Sequence, residues 1–495
     1  MKKNKLMKKL LAAVCCGMML TGSLSGCGVA VSDEAKGSST ETENVQTESV
    51  QAENEQTENT ESEVKQSETI VKYGTELANL DLDGTLHGQY EGQTLTIPVM
   101  SGDFEKAVSA VVPVFEQMSG AKVVIESIPG EQYTDKVQLD LNNTHRYDVV
   151  LSPIAILHGF AIAGKVEPLE EMINTYAGES YNVDDFLPGL FNTYGYYDGK
   201  LVAIPYKPDV MLLFYRKDLF EDESVKAAYQ EKYGTELKVP ETNEEMIQVA
   251  QFFTKSENQD SPVDYGYCAM MLKGSTRLLF FNRGGDDIDE NLNPNMNNAE
   301  GVAAMNRILE LQKSAPKEWV QMGWDEANQF FANGNAAMME QWPGLWLTCQ
   351  ADGSAVKDKV GVAVAPGKTP TLGGWGASIA SESKNKELAW KFIEFMTSRD
   401  GELLKIENTM DPCRASTYEI PEVQASSELY EALMESFNYA KTLADVDVPY
   451  ISSKLCDVME SYIQQAMDGS MTPEEALEGM EKEFTTEIGN LGLED

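Results

Sequence analysis

Leu95-Thr96-Ile97-Pro98-Val99, Val123-Val124-Ile125-Glu126-Ser127-Ile128 and Tyr147-Asp148-Val149-Val150-Leu151 are three apolar runs separated by two helical patterns. In the first run Leu95, Ile97 and Val99 alternate, the period of a strand with one buried face. Between the first and second runs, Phe104, Val108, Val111, Phe115 and Met118 recur at helical spacing. Ser101 or Asp103 can cap that helix, Pro113 predicts a kink in it, and Gly120 ends it. Between the second and third, Tyr133, Val137 and Leu141 fall at i, i+4 and i+8. A further helix runs from the third strand to Gly164. Strands joined by helical crossovers run parallel, so this β-α-β-α-β order predicts a right-handed, doubly wound α/β lobe.

The pattern continues downstream. Residues 201–206 and 210–215 read as apolar strands. Thr242-Asn243-Glu244-Glu245 is a capping box ahead of Met246, Ile247, Ala250 and Phe253. Met305 and Leu309 mark a helix, and Ala327, Phe330 and Phe331 mark another that Gly334 ends. Residues 335–341 read as a strand, and Leu388, Ala389, Phe392 and Phe395 share one helix face. Thr472-Pro473-Glu474-Glu475 starts a final helix with a cap, a proline at the first position and a reaching glutamate. The body, from about residue 70 to 495, exceeds the size at which one core splits, so length alone predicts two lobes.

The N-terminus reads as an address. Lys2, Lys3, Lys5, Lys8 and Lys9 precede a short apolar run that ends in Leu24-Ser25-Gly26-Cys27. This resembles the lipobox of bacterial lipoproteins, which implies a signal peptide over 1–26 and a lipid on Cys27. Residues 27–68 are rich in Glu, Gln, Ser and Thr and hold nothing larger than valine to bury. Such a segment predicts a disordered acidic tether, reaching on the order of 35 Å as a coil. The net charge of −41 argues against nucleic acid and against adhesion to anionic lipid by charge. Cys268, Cys349, Cys413 and Cys456 are far apart with no CxxC, so free buried thiols are expected rather than a metal site.

Family resemblance rests on a series of short strings in order. Gly199-Lys200-Leu201-Val202-Ala203-Ile204-Pro205-Tyr206 precedes Leu212-Leu213-Phe214-Tyr215-Arg216-Lys217-Asp218-Leu219-Phe220. Around them stand Gly164-Lys165-Val166-Glu167-Pro168-Leu169, Ala332-Asn333-Gly334-Asn335-Ala336-Ala337-Met338, Trp342-Pro343-Gly344 and Gly373-Gly374-Trp375. Ser383-Lys384-Asn385-Lys386-Glu387-Leu388-Ala389-Trp390 follows, and Tyr147-Asp148-Val149-Val150 and Thr472-Pro473-Glu474-Glu475-Ala476-Leu477 complete the set. The chain resembles the family 1 extracellular solute-binding proteins of ABC importers, which include maltose- and oligosaccharide-binding proteins. The 281–286 stretch is shorter than that pattern. The resemblance implies a periplasmic-binding-protein-like, type II fold, in which two doubly wound lobes joined by a hinge trap ligand in the cleft between them. It sets lobe 1 at 69–205 plus 376–425 and lobe 2 at 206–375 plus 426–495. The crossings then fall near 205–209, near Trp375 and near 425.

Ligands of open α/β sheets lie beyond the carboxyl ends of the strands. A sugar needs aromatic platforms for its apolar faces and oxygen acceptors for its hydroxyls. Trp342 and Trp375 are the expected platforms, while Trp319, Trp346 and Trp390 are expected in cores. Tyr206 and Asp209 lie at the first crossing, with Asp209 as hydroxyl acceptor or ordinary hinge carboxylate. Asp103 follows the first strand as cap or contact, and Glu131 and Tyr133 follow the second. Ser152 follows the third strand, Asp325 opens a helix it could merely cap, and Arg414 could reach hydroxyls or a carboxylate.

The expected function is capture of a small ligand, a sugar above others, by lobe closure and delivery to ABC permease subunits. The protein is expected to be a monomer, extracytoplasmic and lipid-anchored to the outer face of the cell membrane, with no cofactor and no metal. A secreted glycosidase is one rival, but HExxH, GxSxG and the phosphate-loop pattern are absent, and 80 acidic residues make any carboxylate pair uninformative. His87, His145 and His158 do not form a catalytic pattern. A sensor or adhesion lipoprotein without a transporter is the other rival. A polyamine, iron chelate or peptide stays open as ligand.

Overall fold

A computed structural model describes residues 86–490, except 87, 188, 272–274, 290, 409 and 443–450 and the side chains of 131, 452 and 453. The leader, Cys27, the tether and His87 lie outside the described residues.

Strand β1 (Thr94–Met100) leads through α1 (Asp103–Ser119) to β2 (Lys122–Ile128), and the two strands pair in parallel. Helix α1 runs unbroken through Pro113. Its N-cap is Gly102, with no side-chain cap bond, so neither Ser101 nor Asp103 does that work. Asp103 is instead the first helical residue, where an acid suits the helix dipole, and it pairs with Lys106 at 3.0 Å. Helix α2 (Gly130–Leu139) leads to β3 (Val149–Pro153) and α3 (Ile154–Ile162). The N–H of Asp148 donates to Thr96 O, and the Thr96 N–H donates to the Asp148 carboxylate, both at 2.9 Å. That exchange sets β3 beside β1.

A hairpin of β4 (Tyr196–Tyr197) and β5 (Lys200–Leu201) precedes β6 (Ile204–Val210), and Met211 alone separates β6 from β7 (Leu212–Arg216). The sequence-expected strands 201–206 and 210–215 thus divide differently. Next come α4 (Asn243–Phe252), β8 (Tyr265–Ala269), α5 (Ser275–Asn282), α6 (Ala299–Gln312), α7 (Trp324–Ala332), β9 (Ala336–Gln341) and β10 (Val360–Val364). Then follow β11 (Thr371–Ile379), α8 (Lys386–Met396), α9 (Leu429–Phe437), β12 (Lys441–Thr442), α10 (Ser452–Met467) and α11 (Pro473–Gly489). Both predicted capping boxes form, at Thr242 with Glu245 and at Thr472 with Glu475.

Two sheets organise the molecule. One has the order β10-β7-β9-β8, with β8 parallel and β7 and β10 antiparallel to their neighbours. In the other, β11 pairs antiparallel with both β3 and β6 and parallel with β12. Both sheets are mixed, not purely parallel as expected. Periodicity reports which faces of a strand are buried, but it carries no record of a partner far along the chain. The chain leaves the second of these sheets for the first at Met211, and steps back to the second between Val364 and Thr371. Helix α9 then packs on β10, β7 and β6, and α10 and α11 pack on α5 and α6.

The apolar core follows these elements. One cluster joins Leu95, Phe115, Trp390 and Phe392 to Phe214 and Met339, so it continues across the step at Met211. A second gathers Met246, Tyr267, Ile308, Trp319 and Leu477, and a third lies around Ile128, Tyr133, Val150 and Leu157. Trp319 and Trp390 are buried as expected, and Trp346 is half-buried against the first cluster. Cys268, Cys349 and Cys413 are buried free thiols, and Cys456 is half-buried with its sulfur accepting from Arg277 Nη1 at 3.7 Å.

Candidate functional site

The ribbon of β6 and β11 carries the densest group of candidate residues. Trp375 pairs with Lys207, and Gly373 pairs with Asp209. Residues directly opposite on antiparallel strands share a face, and positions two apart on a strand do too. Trp375, Lys207, Asp209 and the bare backbone of Gly373 therefore look the same way. Gly373 has no side chain because Trp342 needs the room: a Cβ there would come within 2.7 Å of the indole. Trp342 lies just beyond β9, and its N–H donates to Gln341 Oε1 at 2.9 Å. Two half-buried tryptophans from distant segments are thus brought to one face of one ribbon.

Further rings enclose Trp375. Phe104, in the first turn of α1, lies 4.4 Å from it, centroid to centroid, and Tyr133 lies 5.7 Å away. The Lys207 ammonium stands 5.9 Å from the Phe104 ring centre and forms an ion pair with Asp209. Burial pushes the Asp209 carboxyl above its ordinary value, and Lys207 opposes that rise. The two charges cancel, leaving an aromatic face with carboxylate oxygens and no net charge.

Other candidates sit elsewhere. Tyr206 is the extra residue at a bulge, since Trp375 pairs with Lys207 and Gly376 with Pro205. It is fully buried, its hydroxyl has no partner, and Lys405 lies 4.7 Å from its ring centre. Tyr133 donates its hydroxyl to Pro98 O at 3.0 Å and to Leu151 O, tying β1 to β3. Only the flank of its ring serves the face. Ser152 pairs with Gly376, one position along from Trp375 and so on the opposite side of the sheet. Its hydroxyl is buried without a partner.

Asp103 and Asp325 are exposed, and Gly323 rather than Asp325 is the N-cap of α7. Glu131 lies in α2, with its side chain outside the described residues. Arg414 is buried away from the ribbon. It donates to Thr397 O at 2.6 Å and Asn182 O at 2.7 Å, and its guanidinium carbon lies 4.3 Å from the Phe186 ring centre. These bonds hold a loop to the core and leave it no part in the aromatic face. Phe104 and Lys207 were missed as candidates. Lys207 stands between Tyr206 and Asp209 at the crossing, and that position was the available signal.

The family model for bacterial extracellular solute-binding proteins matches residues 101–402. The chain belongs to that family. This solute-binding protein is 27% identical over 303 residues to a probable ABC transporter-binding protein of Deinococcus radiodurans, covering 59% of this chain and 69% of that one. A mannitol-binding protein of Pseudomonas aeruginosa is 23% identical over 456 residues, covering 81% and 94%. Among solved structures, maltose-bound MalE3 of T. maritima superposes with a TM-score of 0.67 at 26% identity, over 80% of this chain and all of that one. A ribitol complex from Agrobacterium radiobacter K84 gives 0.66 at 25%, over 80% and 99%. The fold is the type II binding-protein fold, and the relatives are binding proteins of ABC transporters, not enzymes. The family is extracytoplasmic, and among the described residues no helix is long and apolar enough to cross a membrane.

Proposed function

We propose that this solute-binding protein captures an uncharged sugar or sugar alcohol between two lobes and hands it to an ABC permease, while a lipid on Cys27 and the acidic tether hold it at the membrane. The observation that carries the ligand class is the shared face of Trp342 and Trp375 beside the neutralised Lys207–Asp209 pair. Indole and phenyl rings suit the apolar faces of a sugar, and a carboxylate beside them orients hydroxyls. A polyamine would want unpaired carboxylates, and Asp209 has its cation already. The mannitol, maltose and ribitol complexes or names among the relatives agree with this class. The lobes are 69–205 plus 376–425 and 206–375 plus 426–495. The steps between sheets at Met211 and between Val364 and Thr371 lie close to the first two limits and support them.

Thermal-shift and calorimetric titration of the full chain against maltose, D-mannitol and ribitol, with spermidine and a tripeptide as contrasts, tests the reading. A ligand that binds only the native state raises the apparent melting temperature. A shift with a polyol and none with spermidine or peptide is expected. A shift with spermidine or peptide alone, or hydrolysis of maltose, would overturn it. Globomycin-sensitive processing, or loss of membrane retention in a Cys27→Ser chain, checks the anchor.

A further inference from the structure

The row of positions along β11 continues past Gly373. Thr371 is next on the same face, and Met211 lies across from it with its N–H donating to Thr371 O at 3.0 Å. Beside this point a small recess opens, with room for about one water-sized group and with Met211, Met270, Ser275, Leu278, Asn282 and Glu340 on its walls. It lies near the carboxyl ends of the parallel strands β8 and β9, the end at which open α/β sheets take ligands. Four steps of strand lead from Thr371 to Trp375, roughly 14 Å at the usual rise. The aromatic face and the recess thus lie along one side of β11.

Asn282 gives the recess its chemistry. It is 1% exposed, and its Oδ1 accepts from the Thr371 N–H at 3.2 Å and hydroxyl at 3.0 Å. Its Nδ2 is buried with no acceptor. A buried amide donor left unpaired weakens the fold unless something arrives to accept from it. Glu340 cannot do so freely, since Arg283 takes one of its oxygens at 2.5 Å and the Tyr267 hydroxyl takes the other at 2.7 Å. Apart from the Ser275 hydroxyl, the remaining walls are thioether and alkyl.

We infer that this recess is a subsite for one hydroxymethyl group, the exocyclic CH2OH of a sugar or the end of a sugar alcohol. The ligand oxygen accepts from Asn282 Nδ2, and its methylene packs on Met211 and Leu278. The inference rests on the polyhydroxy ligand proposed above.

The test joins calorimetry to crystallography on the full chain. Maltose and D-mannitol are titrated beside analogues in which a terminal CH2OH is CH3, and crystals are soaked in glycerol as the smallest hydroxymethyl probe. The parent compound should bind roughly fivefold or more tightly than its deoxy analogue. Asn282→Asp keeps the acceptor for Thr371, removes the donor, and should erase that preference. Leu278→Phe fills the recess without touching a hydrogen bond and serves if the first variant folds poorly; it should weaken the parent by at least as much. Glycerol should place an oxygen within hydrogen-bond distance of Asn282 Nδ2 in the wild type. If a polyol binds but parent and analogue bind alike and the recess holds water only, the subsite is wrong and the sugar reading stands. If neither maltose nor mannitol binds, yet glycerol occupies the recess and Asn282→Asp abolishes it, the subsite stands and the sugar reading falls. Glycerol absent and no polyol bound sinks both.

Discussion

The β6–β11 face and the sheet β10-β7-β9-β8 both hold charge away from water, and they spend it differently. In the sheet, Glu340 is 1% exposed and both its oxygens are taken, by Arg283 and Tyr267. Nearby, Arg277 pairs with Asp287, and both are wholly buried. On the ribbon, Lys207 and Asp209 pair with each other beside half-buried rings, and an unpartnered tyrosine hydroxyl lies just behind them. Closed pairs hold a sheet in register, whereas the ribbon sets its pair beside rings on which a ligand can stack. The difference can be broken by mutation at either end.

Arg283→Ala should have the largest effect. It leaves Glu340 buried without its guanidinium, which costs about 3–5 kcal/mol in such pairs. Urea unfolding should read that loss directly. A loss under about 1 kcal/mol would mean that water reaches the pair and that the sheet is less closed than it looks.

Asp411 sharpens the other side. It is 5% exposed behind the ribbon, and burial raises its carboxyl from 3.8 to about 7, with Lys207 pulling it down and Asp209 pushing it up. Its folded value lies above its unfolded one, so between them the native state holds a proton that the unfolded chain has released. That contribution is greatest below pH 4, fades as pH rises towards 7, and is flat above. Its full span is on the order of 4 kcal/mol. Asn cannot ionise, so Asp411→Asn should gain stability relative to wild type as pH goes from 5 to 8. Equal pH slopes for the two chains would mean that Asp411 is already charged and solvated.

Trp375→Ala tests the face itself. Truncating a central aromatic anchor costs roughly 2 kcal/mol of binding, about thirtyfold in affinity. Calorimetry with the best-bound polyol should find that loss, while unfolding shifts less than in Arg283→Ala. Unchanged affinity would take Trp375 out of the site.

How far the sequence could have led to this point differs between fold and site. The strands around Leu95, Val123 and Val149 and the helices capped at Thr242 and Thr472 were legible because their signals are local. Pairing was not. Nothing near Trp375 announces that β11 lies between β3 and β6, or that Tyr206 falls on a bulge and is turned into the core. Arg414 and Tyr133 look like ligand residues in sequence because donors and rings suit both cores and clefts. Only coordinates reveal that Tyr133 gives its hydroxyl to Pro98 and Leu151, and that Arg414 is turned to Thr397 and Asn182, away from the ribbon. Gly373-Gly374 was the one local hint to the meeting of Trp342 and Trp375, since a strand gives up side chains where something must approach closely.

The smallest effect belongs to a pair that neither region owns. Lys217, just after β7, reaches Glu428, just before α9, at 2.8 Å, and the two side chains are 35% and 57% exposed. The hydrogen bond to Glu428 holds the Lys217 ammonium above its usual value. At such exposure water screens the attraction, and ordering two long side chains consumes much of the rest, so Lys217→Ala should cost about 0–1 kcal/mol. The effect should shrink further when salt rises from 0.05 to 0.5 M, because the Debye length shortens from roughly 14 Å to about 4 Å, close to the separation of the charges. Arg283→Ala should not respond to salt in this way. A large, salt-resistant loss at Lys217 would mean that the contact between the end of β7 and α9 is closed from water, and the contrast between spent and available charge would then have to be redrawn around α9 rather than around the ribbon.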